Sequence, residues 1–360
     1  MEPSPDPYRD PETVRKLALR IREEAAAPLR LMEVCGTHTV SLFRHGIRSL
    51  LPPAVTLVSG PGCPVCVTDQ GQVDAFVALS REPNVILATF GDLVRVPGSG
   101  SSLSAERARG RDVRVVYSAS DAVALARANP DKRVVFPAVG FETTAPTTAA
   151  ALLAARAEGL SNFFLFSAHK LVPPALSALL ESPGFAVDGF LLPGHVCVVT
   201  GADAFRPLAA QYRVPCVAAG FEPVDMLLAI LLLVRQANEK RHEVENAYPR
   251  AVSNNGNPTA RAVMERVFAP RDEPWRGLGN IPLSGLALSA EFSAHDAERA
   301  FSISARPAPP PPGCLCGAVL TGAITPPRCP LFRKTCTPSD PVGPCMVSSE
   351  GTCAAFYKYA

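Results

Sequence analysis

Across residues 31–240, short β-branched and aliphatic runs alternate with amphipathic stretches, and this rhythm limits the fold more than any other feature of the chain. The runs predict strands at 55–58, 84–90, 113–117, 134–139, 163–166, 189–192 and 214–218, with a further apolar run at 31–34. The stretches between them predict helices at 121–128, 147–157, 174–180 and 223–240, after an opening helix that starts at Pro11. Strand and helix in this order mean parallel sheets covered on both faces, as one wide sheet or two smaller ones. Beyond Lys240 the rhythm breaks into turn-rich segments such as Trp275-Arg276-Gly277-Leu278-Gly279, a proline run at Pro309–Pro312 and a cysteine-rich end.

The chemistry gathers at strand ends. Ser59-Gly60-Pro61-Gly62-Cys63-Pro64-Val65-Cys66 directly follows an apolar run, so two thiols separated by a stiffening proline stand where open α/β sheets place their reactive groups. Cys35-Gly36-Thr37-His38 repeats the arrangement one strand earlier, and the two thiol loops are expected to converge. An isolated cysteine of this kind is most often a small buried side chain, but the neighbouring pair favours metal or redox chemistry, with helix N-termini expected to lower the thiol pKa. Val139-Gly140-Phe141-Glu142 and Ala219-Gly220-Phe221-Glu222 form an internal echo, in which each glutamate reads either as a helix cap or as a carboxylate facing a shared cleft. His195 and His169 both close apolar runs and divide evenly between site and structural roles, and Cys197 and Cys216, flanked by valines, read as core.

Of the 11 cysteines, six crowd the end of the chain as Cys314, Cys316, Cys329, Cys336, Cys345 and Cys353. Two close C-x-x-C knuckles, the usual mark of structural zinc, are missing there, and the wide irregular spacing favours an iron–sulfur cluster over zinc. Spacing does not choose which four would bind. A net charge of +2 with dispersed Lys and Arg gives no basic stripe, so nucleic acid is not an expected partner. The longest lipid-like run, 226–234, is about half of the ~20 residues that span a bilayer, and the N-terminus lacks an apolar secretory core, so a cytoplasmic protein with no membrane partner is expected. Neither a phosphate-binding glycine loop nor a nucleophile elbow is present.

The CGTH motif at 35–38, GPGCPVC at 60–66, GFETTAPT at 140–147, PGHV at 193–196 and the terminal MVSSEGTC at 346–353, in this order, resemble the hydrogenase-formation protein HypD family. That resemblance spans nearly the whole chain. It implies two Rossmann-like parallel-sheet α/β domains, at 1–130 and 131–240, and a mostly helical or irregular iron–sulfur region at 241–360. It also implies a maturation factor for [NiFe]-hydrogenases that works with a HypC-type small chaperone as the scaffold for an iron carrying two cyanides and one CO. A HypE-type protein would donate the cyanide, and the hydrogenase large subunit would receive the product. By motif, Cys35 would be the main iron ligand, Cys63 and Cys66 the adjoining thiol pair and iron ligands, and His38 a supporting residue. Glu142 and His195 would join the site. Cys316, Cys329, Cys336 and Cys353 would hold a [4Fe–4S] cluster, with Cys314 possible in place of Cys316 and Cys345 the weakest candidate. The rival reading is a cluster-fed thiol–disulfide oxidoreductase, and a third is a plain zinc-stabilised binding protein.

Overall fold

A computed structural model describes residues 6–360, so the proline-rich start at 1–5 lies outside it. Eleven strands follow in order: β1 (Leu29–Glu33), β2 (Val55–Ser59), β3 (Val85–Thr89), β4 (Val113–Val115), β5 (Arg133–Gly140), β6 (Phe163–His169), β7 (Gly189–Pro193), β8 (Cys216–Ala219), β9 (Val244–Asn246), β10 (Phe268–Trp275) and β11 (Gly279–Leu288). Nine of them form two parallel sheets, ordered β2-β1-β7-β8-β9 and β4-β3-β5-β6. Helices pack on these sheets, so strands such as β3, β6 and β8 are buried along their whole length and read as unbroken apolar runs.

The strand pairing does not follow a boundary at residue 130. β3 pairs with both β4 and β5, so residues 85–169 make one sheet that is inserted between β2 and β7 of the other. The strand alternation carries no information about partners, because the central strands β3, β5, β7 and β8 are all buried apolar runs. Insertion creates two switch points. In the first sheet the chain leaves β1 toward β2 on one side, while β7 to β9 extend from its other side; in the second, β3 and β5 diverge in the same way. Crevices at the carboxyl ends of such strands are where α/β sheets bind ligands.

The segment after Lys240 differs from its turn-rich reading. β10 and β11 form an antiparallel hairpin whose register breaks between Arg271 and Glu273. Pro270 and Pro274 hide β10 from any strand pattern, because proline removes a ladder donor. The hairpin is a clamp. Ser167 Oγ at the end of β6 donates to Leu286 O (2.6 Å), and the N–H of Leu171 donates to Ser284 O (2.8 Å). At its other end the N–H of Arg276 donates to Val67 O (2.9 Å), directly after the C-x-x-C turn. Between these ends Lys170 is buried, its Nζ donating to Gln72 Oε1 (3.0 Å), Pro274 O (2.8 Å) and Glu273 Oε1 (3.3 Å), and burial lowers its pKa to about 8. The last fifty residues carry only short helices, as their low periodicity suggests. Among the described residues no helix is long and apolar enough to cross a membrane.

Candidate functional site

Cys35 follows β1 and caps the Gly36–Arg44 helix, at the first sheet's switch point. Cys63 follows β2 and caps the short Pro64–Val67 helix, its Sγ accepting from the N–H of Cys66 at 3.3 Å. Because β1 and β2 are parallel neighbours in register, the two loops meet. The N–H of Gly36 donates to Gly62 O (2.9 Å), and that of Gly60 to Glu33 O (2.9 Å). Gly62 lies flat on the Cys35 backbone: a Cβ there would stand 2.3 Å from Cys35 N and 2.5 Å from Cys35 Cα. Beneath them Glu33 is fully buried, and its Oε1 accepts from Ser59 Oγ and Arg48 Nη2, both at 2.7 Å. This carboxylate ties β1 to β2 immediately below the thiols.

The C-terminal segment closes over the same point. A Cβ on Gly36 would meet Glu350 O at 2.5 Å, and Thr37 Oγ1 donates to Glu350 Oε1 at 2.6 Å. Glu350 was not among the expected site residues, although it lies inside the terminal motif. Burial, followed by the Glu350 carboxylate, pushes the Cys35 thiol up to about 11. This reverses the expectation from the helix N-terminus. The N–H groups of His38 and Thr37 do pull the thiol down, but desolvation outweighs them. Burial likewise raises Cys66 well above its ordinary value.

His38 is buried behind Cys35, with Nε2 donating to the carbonyls of Gly220 (3.0 Å) and Ala219 (3.2 Å). Both partners are acceptors, so Nε2 carries the proton; Nδ1 is buried without a partner, and burial lowers the ring pKa to about 4. Phe221 packs tilted against His38 (4.8 Å between centroids) and stacks on His195 (3.9 Å), and His195 is exposed just after β7. His195 therefore stands on the other side of the switch point from Cys35, close enough to feel Glu350. His169 instead ends β6 opposite Gly140 in the second sheet, buried, with Nε2 3.4 Å from Thr148 Oγ1.

The echoed glutamates separate. Glu222 caps the Pro223–Glu239 helix in a capping box with Asp225. Glu142 does not cap the helix that follows it, where Thr144 holds that position; it reaches across to the first N–H of the Val172–Glu181 helix instead. It stands at the second sheet's switch point, fully buried, with Oε1 accepting from the N–H of Val172 (2.9 Å) and Oε2 unpartnered. Burial raises its pKa to about 7. Cys197, itself core, lies within the field of both Glu142 and Cys35, so the two switch points face a common interior.

All six C-terminal cysteines line one cavity whose remaining walls are Leu, Val, Phe, Met and Gly. Sulfur is thus the only side-chain donor there. Cys345, the weakest candidate on sequence, is the junction: its thiol contacts those of Cys316 (2.7 Å), Cys353 and Cys66. Contact with Cys316 and then burial push Cys314 up. For Cys316 the hydrogen bond to Cys314 pulls down, but contact with Cys345 and burial leave the thiol well above its usual range. Among the described residues no three acidic, His or Cys side chains stand in the tight arrangement of a single-ion site. A wider, all-sulfur set fits a multi-iron cluster, whose irons take thiolates from separate loops and ionise them.

Fold and site define a class: a two-sheet α/β protein with a buried multi-thiol assembly running from a strand-end thiol to a sulfur-lined cavity. A family model described as HypD, hydrogenase formation hypA family, matches residues 12–360. The chain is 49% identical to the hydrogenase maturation factor HypD of Azotobacter vinelandii, over 98% of this chain and 96% of that one. It is 48% identical to the HypD of Rhizobium leguminosarum bv. viciae, over 98% and 94%. For the HypD of Escherichia coli (strain K12) the identity is 46%, over 98% and 97%. The chain belongs to the HypD family.

Proposed function

We propose that the protein is a [NiFe]-hydrogenase maturation factor that holds iron during assembly of the Fe(CN)2CO unit. The observation that carries this reading is the placement of Cys35 at a switch point with the Cys63 loop lying on its backbone and Glu350 closing beside it. Low-spin iron with cyanide and CO is soft and takes thiolates. Buried thiols with raised pKa values are poor free nucleophiles, yet a metal ion ionises such a thiol outright. That contrast favours a scaffold over an oxidoreductase, which needs a thiolate poised for attack. Cys63 and Cys66 supply further sulfur beside the iron, His38 orients the loop through its carbonyl partners, and His195 stands exposed where a partner would dock. A HypC-type chaperone and a HypE-type cyanide donor are the proposed partners, and a hydrogenase large subunit is the recipient.

The sulfur-lined cavity is proposed to hold a [4Fe–4S] cluster through Cys329, Cys336, Cys353 and either Cys314 or Cys316. Such a cluster supplies one-electron transfer. Contact of Cys345 with Cys66 places the thiol pair beside this cavity, so Cys345 links the two sulfur groups in space.

Infrared and visible spectra of the anaerobically purified protein, co-expressed with its HypC-type partner, test the reading. Cyanide and CO stretching bands that vanish in Cys35→Ala, together with broad cluster absorption, are expected. Cluster absorption with disulfide turnover and no such bands would transfer the assignment to the oxidoreductase, and a colourless preparation would leave neither.

A further inference from the structure

Arg276 occupies the turn between β10 and β11 and is only 4% exposed. Nε donates to Thr68 O and Nη1 to Gln70 Oε1, both at 2.9 Å, while Nη2 is buried with no partner among the described residues. Both acceptors, a backbone carbonyl and a side-chain amide, are neutral. A buried guanidinium held only by neutral partners is costly, and such cations are ordinarily paired.

Two sulfur groups surround it. Its anchors, Val67, Thr68 and Gln70, directly follow Cys66. On the other side the turn is pressed against the start of the Cys316–Leu320 helix, glycine on glycine: a Cβ on Gly277 would stand 2.4 Å from Gly317 Cα, and one on Gly317 would stand 2.9 Å from Gly277 Cα. Cys314 and Cys316, immediately before Gly317, line the sulfur cavity. None of the family-like motifs contains this residue.

We infer that Arg276 is the internal counter-cation of the cluster bound in the sulfur-lined cavity, its unpartnered Nη2 completing its pairing there and its charge raising the cluster's reduction potential. This rests on the cluster reading above. A [4Fe–4S] core with four thiolates is an anion whose charge grows by one on reduction, so a fixed nearby cation stabilises the reduced form more than the oxidised one.

The test is a redox titration of the full chain, purified anaerobically, with dithionite giving one electron per cluster and the reduced form followed by EPR. At the potential that half-reduces the wild-type cluster, Arg276→Gln is expected to show a reduced-to-oxidised ratio about tenfold lower, equivalent to 59 mV for one electron. Arg276→Lys, which keeps the charge, is expected to stay within about threefold of wild type. Gln70→Glu neutralises the guanidinium in place and is expected to shift the ratio in the same direction as Arg276→Gln, so the inference remains testable if Arg276→Gln does not accumulate. A cluster that titrates at the wild-type potential in Arg276→Gln, or in Gln70→Glu where that is the variant obtained, overturns the role of Arg276. A wild-type protein with no cluster signal overturns the underlying reading instead.

Discussion

Gly62→Ala is expected to destabilise the protein by about 3 kcal/mol, the upper part of the range for overpacking, and to abolish iron retention at Cys35. The added Cβ would stand 2.3 Å from Cys35 N, 2.5 Å from Cys35 Cα and 2.5 Å from Val34 C. All three are backbone atoms at a strand end, so no side chain can swing aside. Relief requires the loops to part, which breaks the Gly36 N–H to Gly62 O bond and moves Cys63 away from Cys35. Thermal unfolding should show Tm lower by about 4 °C, and infrared spectra of the partner-bound protein should lose the cyanide and CO bands. Gly100→Ala is the control: nothing stands within 4 Å of a Cβ there, and no change is expected. Wild-type stability in Gly62→Ala would mean that the thiol loops are not in the contact described.

How much of this was legible in the sequence depends on what each residue's environment required. β3 and β8 were readable because strands buried on both faces need unbroken apolar runs. Their partners were not, since any such strand can pair with any other, and the insertion of one sheet into the other left no trace in composition. Thiols at strand ends were readable at Cys35 and Cys63. Their protonation was not, because burial and Glu350 arise from the C-terminal segment folding back over the Cys35 loop. Arg276 had no signal at all: its turn looks like any glycine-flanked loop, and only three-dimensional packing reveals a buried cation with a free N–H. The echoed glutamates had identical local signatures, and the structure separates them because only Glu222 adjoins its helix start.

Glu142 provides the second large effect, and it appears as a pH dependence. Its folded pKa of about 7 lies above the ordinary 4.5, so the folded state holds a proton that the unfolded chain releases. Stability is then lost as pH rises from 4.5 to 7, by a total of about 3 kcal/mol, from 1.36 kcal/mol per pKa unit. Glu142→Gln cannot ionise, and it retains the oxygen that accepts from Val172 N–H. Its amide nitrogen sits where Oε2 is already unpartnered, an offset of about 1–3 kcal/mol that does not vary with pH. His38 and His169, lowered to about 4 and about 3, have the opposite dependence: the folded state binds fewer protons, so their contribution is lost as pH falls below 6.5. Both are present in wild type and variant alike and cancel in the difference. Denaturant unfolding at pH 5 and pH 8 should therefore show the stability of Glu142→Gln relative to wild type increasing by about 2.5 kcal/mol, the rest of the effect being already lost at pH 5. A difference that stays constant across this range would mean that Glu142 is ionised in the folded protein at pH 5, with a cation or solvent at Oε2. A buried carboxylate that is ionised only at the expense of stability, at the second sheet's switch point, is the kind of strain that functional sites retain.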